Sequence, residues 1–237
     1  MLEFKNNFTI QEVRDFWNQT ANIYDKVNKK IGQAHHQRFT QSLKYLDLKP
    51  GHRVLNIWSR TGNAIPYLTQ HTQLNLHNLE VSSAMIAIAQ KKYPQAQFAL
   101  TDLNQLEFKD NFFDSILCLE TLEHTPRPQQ LLDEFYRVLK SDGKLVLSLP
   151  PATAEIPLKI YELFFKNHGE GPHQFLPSKL VKKMLSRSGF KLILHQGTLL
   201  VPAGPNGLQR LGEKIIERFQ QTPLKEFGIR QFYVCKK

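Results

Sequence analysis

The sequence is poor in cysteine and in long apolar runs. Its 237 residues contain two cysteines, Cys118 and Cys235, too few for a disulfide framework or a four-cysteine metal site. So few cysteines favour a reducing, cytoplasmic compartment. No stretch approaches 18 consecutive apolar residues, and the first residues lack the basic start and apolar run of a signal peptide. We therefore expect neither a transmembrane protein nor a disulfide-stabilised secreted one.

Positive charge is in excess, but it is not concentrated in one block. Lysine and arginine total 31 against 21 aspartates and glutamates, which gives a formal net charge of +10. The basic residues are scattered in pairs along the chain, which favours an ordinary solvated surface over a nucleic-acid or membrane face. With 41% hydrophobic and 22% charged residues, the chain has a globular composition, and disordered or fibrous classes are excluded.

Short apolar runs alternate with amphipathic stretches, which is the pattern of a parallel α/β sheet. Helical spacing predicts helices between the runs, one of them capped by Ser82 or Ser83. We expect a doubly wound, mostly parallel α/β sheet of about seven strands, at 54–58, 75–80, 98–102, 113–119, 144–149, 190–200 and 229–235.

Acidic residues follow three successive predicted strands. In an open parallel sheet, ligands bind beyond the carboxyl ends of the strands, where Glu80, Asp102 and Glu120 stand. Glu80 suits a ribose diol, because a carboxylate accepts hydrogen bonds from both hydroxyls, and Asp102 suits an adenine amino group with Leu103 against the ring. Each acid alone also fits a helix cap or a solvated loop end. All three, however, reach the same crevice.

The order of these pieces resembles the class I S-adenosylmethionine-dependent methyltransferases, especially their small-molecule branch. VLNIWSRTG (54–62) stands where the family has VLDIGCGTG, LEVSSAMIAIAQKKYP (79–94) resembles its second strand and helix, and residues 101–150 resemble its third to fifth strands. FWNQTANIYD (16–25) resembles the N-terminal segment of quinone-biosynthesis C-methyltransferases. The resemblance implies a Rossmann-like fold with its last strand antiparallel between the fifth and sixth.

The resemblance also implies S-adenosylmethionine as cofactor, S-adenosylhomocysteine as product, and a division of the chain. It implies one domain over 1–237, with an N-terminal helical segment (1–48), a cofactor-binding half (49–150) and a substrate-side half with insertions (151–237). The implied cofactor-binding residues are Asn56, Trp58, Arg60, Gly62, Glu80, Val81, Met85, Asp102, Leu103 and Glu120.

The first loop departs from the family pattern. Asn56 replaces the family's acid, Trp58 and Arg60 replace its first two glycines, and Gly62 is retained. In one interpretation the loop takes a shifted path and the cofactor still binds, with Arg60 near its carboxylate or turned to solvent. In the other, Trp58 and Arg60 fill the pocket, because a tryptophan side chain adds about 200 Å² of surface. The intact acids at the next two strands favour retained binding.

Methyl transfer depends mainly on orientation, and a general base is needed only when the acceptor must lose a proton. Catalytic candidates are His124, which also suits a loop-orienting role, and Tyr24, which also suits helix packing. Further candidates near the crevice are His35, His36 and Glu123, while His168 and His173 flank a glycine turn where substrate could lie. No metal site is predicted, since no carboxylate stands at a fixed spacing from the two histidines.

The sequence after the fourth strand disfavours some classes of methyl acceptor. LETLEH lacks the Asn/Asp-Pro-Pro-aromatic motif of the family's nucleic-acid amine methylators, and both cysteines suit buried packing better than nucleophilic attack. The insertions at 151–177 and 201–224 are apolar, which suits an apolar or aromatic small molecule or, equally, core beneath a cap.

The predicted function is methyl transfer from S-adenosylmethionine to a small molecule. The main alternative is a non-catalytic relative that has lost the cofactor through Trp58 and Arg60 and acts as a binding or partner subunit. The sequence lacks the Gly-x-Gly loop that a nicotinamide-dependent oxidoreductase requires. The hypothesis of an RNA methyltransferase rests on the net positive charge alone. The oligomeric state is not predicted.

Overall fold

The computed structural model describes residues 5–29, 32–70, 73–164, 169–201 and 205–237. Its strands are β1 (Arg53–Ile57), β2 (Asn75–Glu80), β3 (Gln97–Leu100), β4 (Phe113–Leu119), β5 (Leu139–Leu149), β6 (Lys191–Thr198) and β7 (Arg230–Lys236). They form one sheet in the order β3-β2-β1-β4-β5-β7-β6. The first five strands pair in parallel, and β7 runs antiparallel between β5 and β6. The predicted fold class and the place of the last strand are confirmed.

Eight α-helices accompany the sheet in the described ranges. They are α1 (Ile10–Asn28), α2 (Gly32–Leu46), α3 (Ile65–Thr69), α4 (Ser83–Lys92), α5 (Pro128–Val138), α6 (Glu155–Phe164), α7 (Ser178–Arg187) and α8 (Asn206–Arg218). Local chemistry sets several of their starts. The Thr9 hydroxyl and the Glu12 side chain form a capping box at α1, and the Ser82 hydroxyl caps α4 by accepting from the Met85 N–H.

Several strand boundaries differ from the sequence-based expectation, and two of these differences bear on the site. The first strand ends at Ile57, so Trp58 already belongs to the loop beyond the sheet. The third strand ends at Leu100, which leaves Asp102 two residues past it. The loops at the carboxyl ends of these strands therefore begin earlier than the apolar runs suggest.

Helix α1 lies across the carboxyl ends of β1 and β2. The Arg14 Nε donates to the Val81 carbonyl at 3.1 Å, just after β2. The Ser82 hydroxyl donates to the Asn18 Oδ1 at 2.7 Å, and the Thr61 hydroxyl donates to the Asp25 Oδ1 at 2.6 Å. Three contacts spaced along one helix thus hold it over the edge of the sheet at which a ligand would bind.

None of the helices in the described ranges combines the length and hydrophobicity needed to cross a lipid bilayer. Both cysteines are buried. Burial raises the pKa of the Cys235 thiol to about 12, which fits packing better than nucleophilic chemistry.

Candidate functional site

The loop after β1 has a backbone that favours glycine, although Trp58 and Arg60 stand where the family pattern has glycines. Trp58, Arg60 and Gly62 have φ angles of 57°, 51° and 79°. All three lie in the left-handed region, which costs a residue with a β-carbon about 1–2 kcal/mol. The substitutions therefore change what fills the loop, while its backbone stays in the conformation that glycine favours.

Gly62 cannot be replaced in the same way. A β-carbon at this position would lie 2.8 Å from the Tyr93 ring, closer than any tolerated contact. Tyr93 ends helix α4, so the one retained glycine permits α4 to approach the loop.

The Arg60 side chain lies between two tryptophan rings. Its guanidinium carbon is 3.6 Å from the ring centroid of Trp17, on α1, and 4.0 Å from that of Trp58. Both indoles are buried, and Arg60 is 9% exposed. Burial lowers the pKa of Arg60, and the nearby Glu80 carboxylate counteracts this. Cation–π attraction to the two ring faces thus compensates for part of the lost hydration.

Glu80 holds the loop backbone. One carboxylate oxygen accepts from the Arg60 N–H at 2.7 Å, and the other accepts from the N–H groups of Val81 at 2.9 Å and Ser82 at 3.1 Å. The residue is fully buried, and this burial raises its pKa. Both oxygens that would receive ribose hydroxyls already have backbone donors.

Asp102 adopts the alternative of a solvated loop end, and the buried Leu103 follows it. The Asp102 carboxylate is exposed and accepts from the Asn104 N–H at 3.0 Å. Its partial burial would raise its pKa, but hydrogen bonds from Asn104 and Gln105 lower it overall. Leu103 has a φ of 63° and is 1% exposed. Asp102 thus behaves as a turn-stabilising acid.

Glu120 pairs with two arginines. One of its oxygens lies 2.5 Å from the Arg38 Nη1, on α2, and the other 2.5 Å from the Arg230 Nε, on β7. Burial alone would raise the pKa of Glu120, but Arg230 and Arg38 together hold it well below its usual range. Arg230 also donates to the Ala34 carbonyl at 3.0 Å. Glu120 therefore joins α2 to the sheet. Its oxygens bind two arginines, where the sequence predicted a contact with the cofactor.

His124 is a neutral, buried imidazole. Its Nδ1 lies 2.9 Å from the Pro172 carbonyl and therefore carries the proton that is donated there. Burial first, then the Arg60 charge, lower the pKa of His124 to about 3. Its ring centroid is 5.2 Å from that of Trp58. At neutral pH such an imidazole is a weak base, and its visible role is to orient the loop at Pro172.

The remaining titratable candidates divide into buried and peripheral groups. Burial raises the pKa of Tyr24, whose hydroxyl is hydrogen-bonded to Arg38. Burial also raises the pKa of Glu123 well above its ordinary value. Three histidines are held by protein groups: His35 by Arg38, His36 by the Tyr67 hydroxyl and His173 by the Gly171 carbonyl. His168 lies outside the described residues.

A small cavity of about 100 Å³ remains in this crevice. Of the twelve predicted site residues, it is lined by Tyr24, Asn56, Trp58, Arg60, Glu120 and His124. The other six do not line it: Gly62, Glu80, Val81, Met85, Asp102 and Leu103. Val81 and Met85 are fully buried core residues. The predicted set therefore splits between the cavity wall and the layer beneath it.

Polar atoms around the cavity lack protein partners. Among the described residues, the buried Trp58 Nε1, Ser59 Oγ and Arg60 Nη1 make no hydrogen bond, and all three residues line the cavity. Buried polar atoms are normally paired, so these favour water or a small polar ligand in the space. Asn56 is satisfied, since its Nδ2 donates to the Asn78 Oδ1 at 2.9 Å.

Sequence reasoning missed three residues that shape the site, namely Trp17, Arg38 and Arg230. Trp17 stands in the FWNQTANIYD segment, and that resemblance is the signal that could have placed it. Arg38 and Arg230 meet Glu120 across 82 and 110 positions of sequence, and no local pattern indicates such pairs.

Comparison with known proteins bears directly on this arrangement. A family described as "Methyltransferase domain" matches residues 55–147, from β1 into β5. A demethylmenaquinone methyltransferase of Thermotoga maritima is 29% identical over 154 residues, covering 63% of this chain and 67% of that protein. Residues 55–147 are thus similar to the methyltransferase domain of the S-adenosylmethionine-dependent enzymes.

The similarity to other methyltransferases is more local. Phosphoethanolamine N-methyltransferase 2 of Caenorhabditis elegans is 27% identical over 111 residues, which is 45% of this chain and 25% of that protein. The chain thus matches a quarter of that enzyme's length.

Solved methyltransferase structures share the fold. A Haloferax volcanii methyltransferase in complex with the activator Trm112 superposes with a TM-score of 0.72 at 17% identity, over 93% of this chain and 96% of that one. Magnesium protoporphyrin IX methyltransferase of Synechocystis, solved with S-adenosylhomocysteine, gives 0.67 at 20% identity, over 95% and 98%. At these identities the similarity establishes the fold.

S-adenosylmethionine, the cofactor that the matched methyltransferases indicate, does not fit the crevice in the conformation that the structure has. A cavity of about 100 Å³ holds roughly three waters, whereas pockets for ligands of cofactor size begin at about 300 Å³. The side chains of Arg60, Trp17 and Trp58, which pack together, line this small space.

Proposed function

We propose that the protein transfers a methyl group from S-adenosylmethionine to an apolar or aromatic small molecule, and that the cofactor enters only when Arg60 leaves its place between Trp17 and Trp58. The observation that carries the proposal is the left-handed backbone at Trp58, Arg60 and Gly62. A glycine-like backbone held by Glu80 supports a cofactor loop that is closed by side chains rather than by backbone.

The nature of the acceptor is supported by the walls around the crevice. Trp17, Tyr24, Phe39 and Leu119 line the cavity, beside polar groups that include Arg38. Aromatic walls with a few placed polar groups suit an apolar or aromatic ligand. Relatives named for demethylmenaquinone and for magnesium protoporphyrin IX act on aromatic molecules, according to those names. His124, neutral and weakly basic, suits an acceptor that needs little help in losing a proton.

A second candidate function is that of a non-catalytic family member that binds a partner. The closed crevice favours this candidate. In the conformation that the structure has, the side chains of Arg60 and the two tryptophans leave too little room for the cofactor. The two candidates differ in whether the stack opens in solution, and this can be measured.

The test is calorimetric titration with S-adenosylhomocysteine of the wild-type protein and of the Trp58→Gly/Arg60→Gly double variant. Glycine at both positions removes the filling side chains and suits the left-handed backbone, so the variant should bind at least tenfold more tightly. Asn111→Gly is the matched control, because Asn111 also has a positive φ, 54°, but does not line the cavity. It should leave the affinity unchanged.

Each outcome separates the candidates. Micromolar binding by the wild type supports the gated enzyme, and transfer of labelled methyl to hydrophobic phenols or quinols then tests the acceptor. Binding by the double variant alone supports the non-catalytic candidate. If neither protein binds at millimolar ligand, the proposed cofactor site is wrong.

A further inference from the structure

Helices α6 and α8 and the turn Pro223–Phe227 expose an unusual number of large apolar side chains. The structure leaves ten large apolar side chains exposed among the described residues, and seven of them lie in α6, in α8 with its C-terminal cap, or in the turn Pro223–Phe227. The seven are Ile156, Ile160, Leu208, Leu211, Ile215, Phe219 and Phe227. Grouped exposed apolar residues mark interaction surfaces more often than single ones do.

Four of these residues form one stripe along α8. Leu208, Leu211, Ile215 and Phe219 are spaced by three or four positions, which places them on one face of a helix. They are 49%, 53%, 36% and 40% exposed, respectively. The stripe therefore runs the full length of the helix and stays in solvent.

A different face of α8 packs on the body of the protein. Ile216 is fully buried, and a β-carbon on Gly212 would lie 2.8 Å from the Val201 Cγ2. The Glu213 carboxylate accepts from the Leu199 N–H at 2.7 Å. The apolar stripe is thus not the means by which α8 is attached to the sheet.

Basic residues flank the stripe. Arg210, Lys214 and Arg218 are exposed and follow one another at intervals of four, so they form a row along one side of it. One exposed acid, Glu217, lies on the side of this row away from the stripe. An apolar stripe beside a basic row is the pattern of a helix that lies in the plane of an anionic lipid interface.

We propose that α8 docks the protein on the surface of an anionic lipid bilayer, with the stripe in the interface and the basic row against the phosphate groups. Charge complementarity selects this occupant. A second copy of the chain, related by a two-fold axis, would bring two basic rows together on molecules with a net charge of +10. RNA would meet the basic row but leave the leucines and isoleucine without an apolar partner.

The proposal does not rest on the proposed activity, and its test contains no cofactor. The full chain is sedimented with vesicles of phosphatidylcholine containing about one third phosphatidylglycerol, and with phosphatidylcholine alone. It should bind the anionic vesicles, and binding should weaken when salt is raised. Leu211→Gln and Lys214→Glu should each raise the lipid concentration for half-maximal binding about fivefold or more.

Matched controls lie at the other end of the sheet. Leu100, on β3, is 54% exposed against 53% for Leu211, and Lys91, on α4, is an exposed lysine like Lys214. Because β3 and β6 are opposite edges of the seven-stranded sheet, Leu100→Gln and Lys91→Glu should change vesicle binding less than twofold. All four positions are exposed, and unchanged thermal midpoints verify folding.

The proposal is overturned if the wild type does not bind anionic vesicles, or if the control variants weaken binding as much as the α8 variants do. Self-association that Leu211→Gln abolishes, without vesicle binding, would replace the lipid surface by a second copy. Binding to RNA that Lys214→Glu abolishes and Leu211→Gln leaves intact, again without vesicle binding, would replace it by nucleic acid.

Discussion

Glu80 and Glu120 lie at the carboxyl ends of two parallel strands, β2 and β4, and their pKa values shift in opposite directions. Glu80 is held by three backbone N–H groups, and burial raises its pKa. Glu120 is only partly buried, with 25% of its side chain exposed, and Arg38 and Arg230 hold its pKa well below the usual range. Neutral donors fix a position, whereas two full charges also determine the ionisation state.

The difference explains what each acid does in the protein. Glu80 sets the path of the loop after β1 and therefore the place where Arg60 enters the crevice. Glu120 joins α2 and β7, which are far apart in sequence, beside the same cavity. One acid thus organises a short loop, and the other organises the tertiary structure around it.

The largest expected effect follows from breaking the arginine pair. Glu120→Ala should lower the free energy of unfolding by about 3–5 kcal/mol, because it leaves two buried guanidinium groups without their counter-charge. Denaturant unfolding of the variant measures this. A loss below about 1 kcal/mol would show that the two arginines are solvated after all.

The pH dependence should separate the two acids. The Glu120 pKa is lowered on folding, so its contribution is present above the unfolded value of about 4.3 and is lost as the pH falls below it. The Glu80 pKa is raised, so its carboxyl contributes most at low pH and loses this contribution as the pH rises from about 4.3. The stability of the wild type relative to Glu120→Gln should therefore shrink on acidification, whereas its stability relative to Glu80→Gln should grow. Unfolding curves between about pH 3 and pH 7 measure both, and parallel slopes would contradict the assignment.

Replacing Glu80 should have an intermediate effect at neutral pH. Glu80→Gln keeps the size of the side chain but turns an amide donor towards backbone donors, which should cost about 1–3 kcal/mol. Thermal and denaturant unfolding provide the measurement. An unchanged stability would mean that the loop after β1 does not depend on this carboxylate.

The smallest effect is expected from Arg60→Gly. It removes the stacking on Trp17 and Trp58, but it also relieves a strained left-handed backbone and the cost of burying a charge. These opposing contributions should leave the free energy of unfolding within about 1 kcal/mol of the wild type. If denaturant unfolding shows that the free energy of unfolding falls by more than about 2 kcal/mol, the packing of Arg60 on the two tryptophans is needed for stability and does not merely fill the crevice.

Local patterns in the chain predicted much of the architecture. Short apolar runs predicted the strands, and the resemblance predicted the antiparallel last strand. Ser82 or Ser83 was expected to start the fourth helix, and the structure selects Ser82. The type of element was correct at these places because each depends on neighbours within a few residues. The departure of Trp58, Arg60 and Asn56 from the family pattern was likewise visible without a structure, and it correctly marked the loop where the crevice is filled.

The sequence by itself therefore determined the sheet and the resemblance to methyltransferases, and it predicted where the site lies. It did not distinguish Glu80, Asp102 and Glu120, since each is an acid after a strand, and only the fold supplied their different partners. The tertiary structure also decided that Trp17 of α1 meets Arg60, that Glu120 faces two arginines, and that α8 keeps its apolar stripe in solvent. The physical reason is that burial, hydrogen bonding and ion pairing depend on groups brought together from distant parts of the chain, which the strand pattern does not encode.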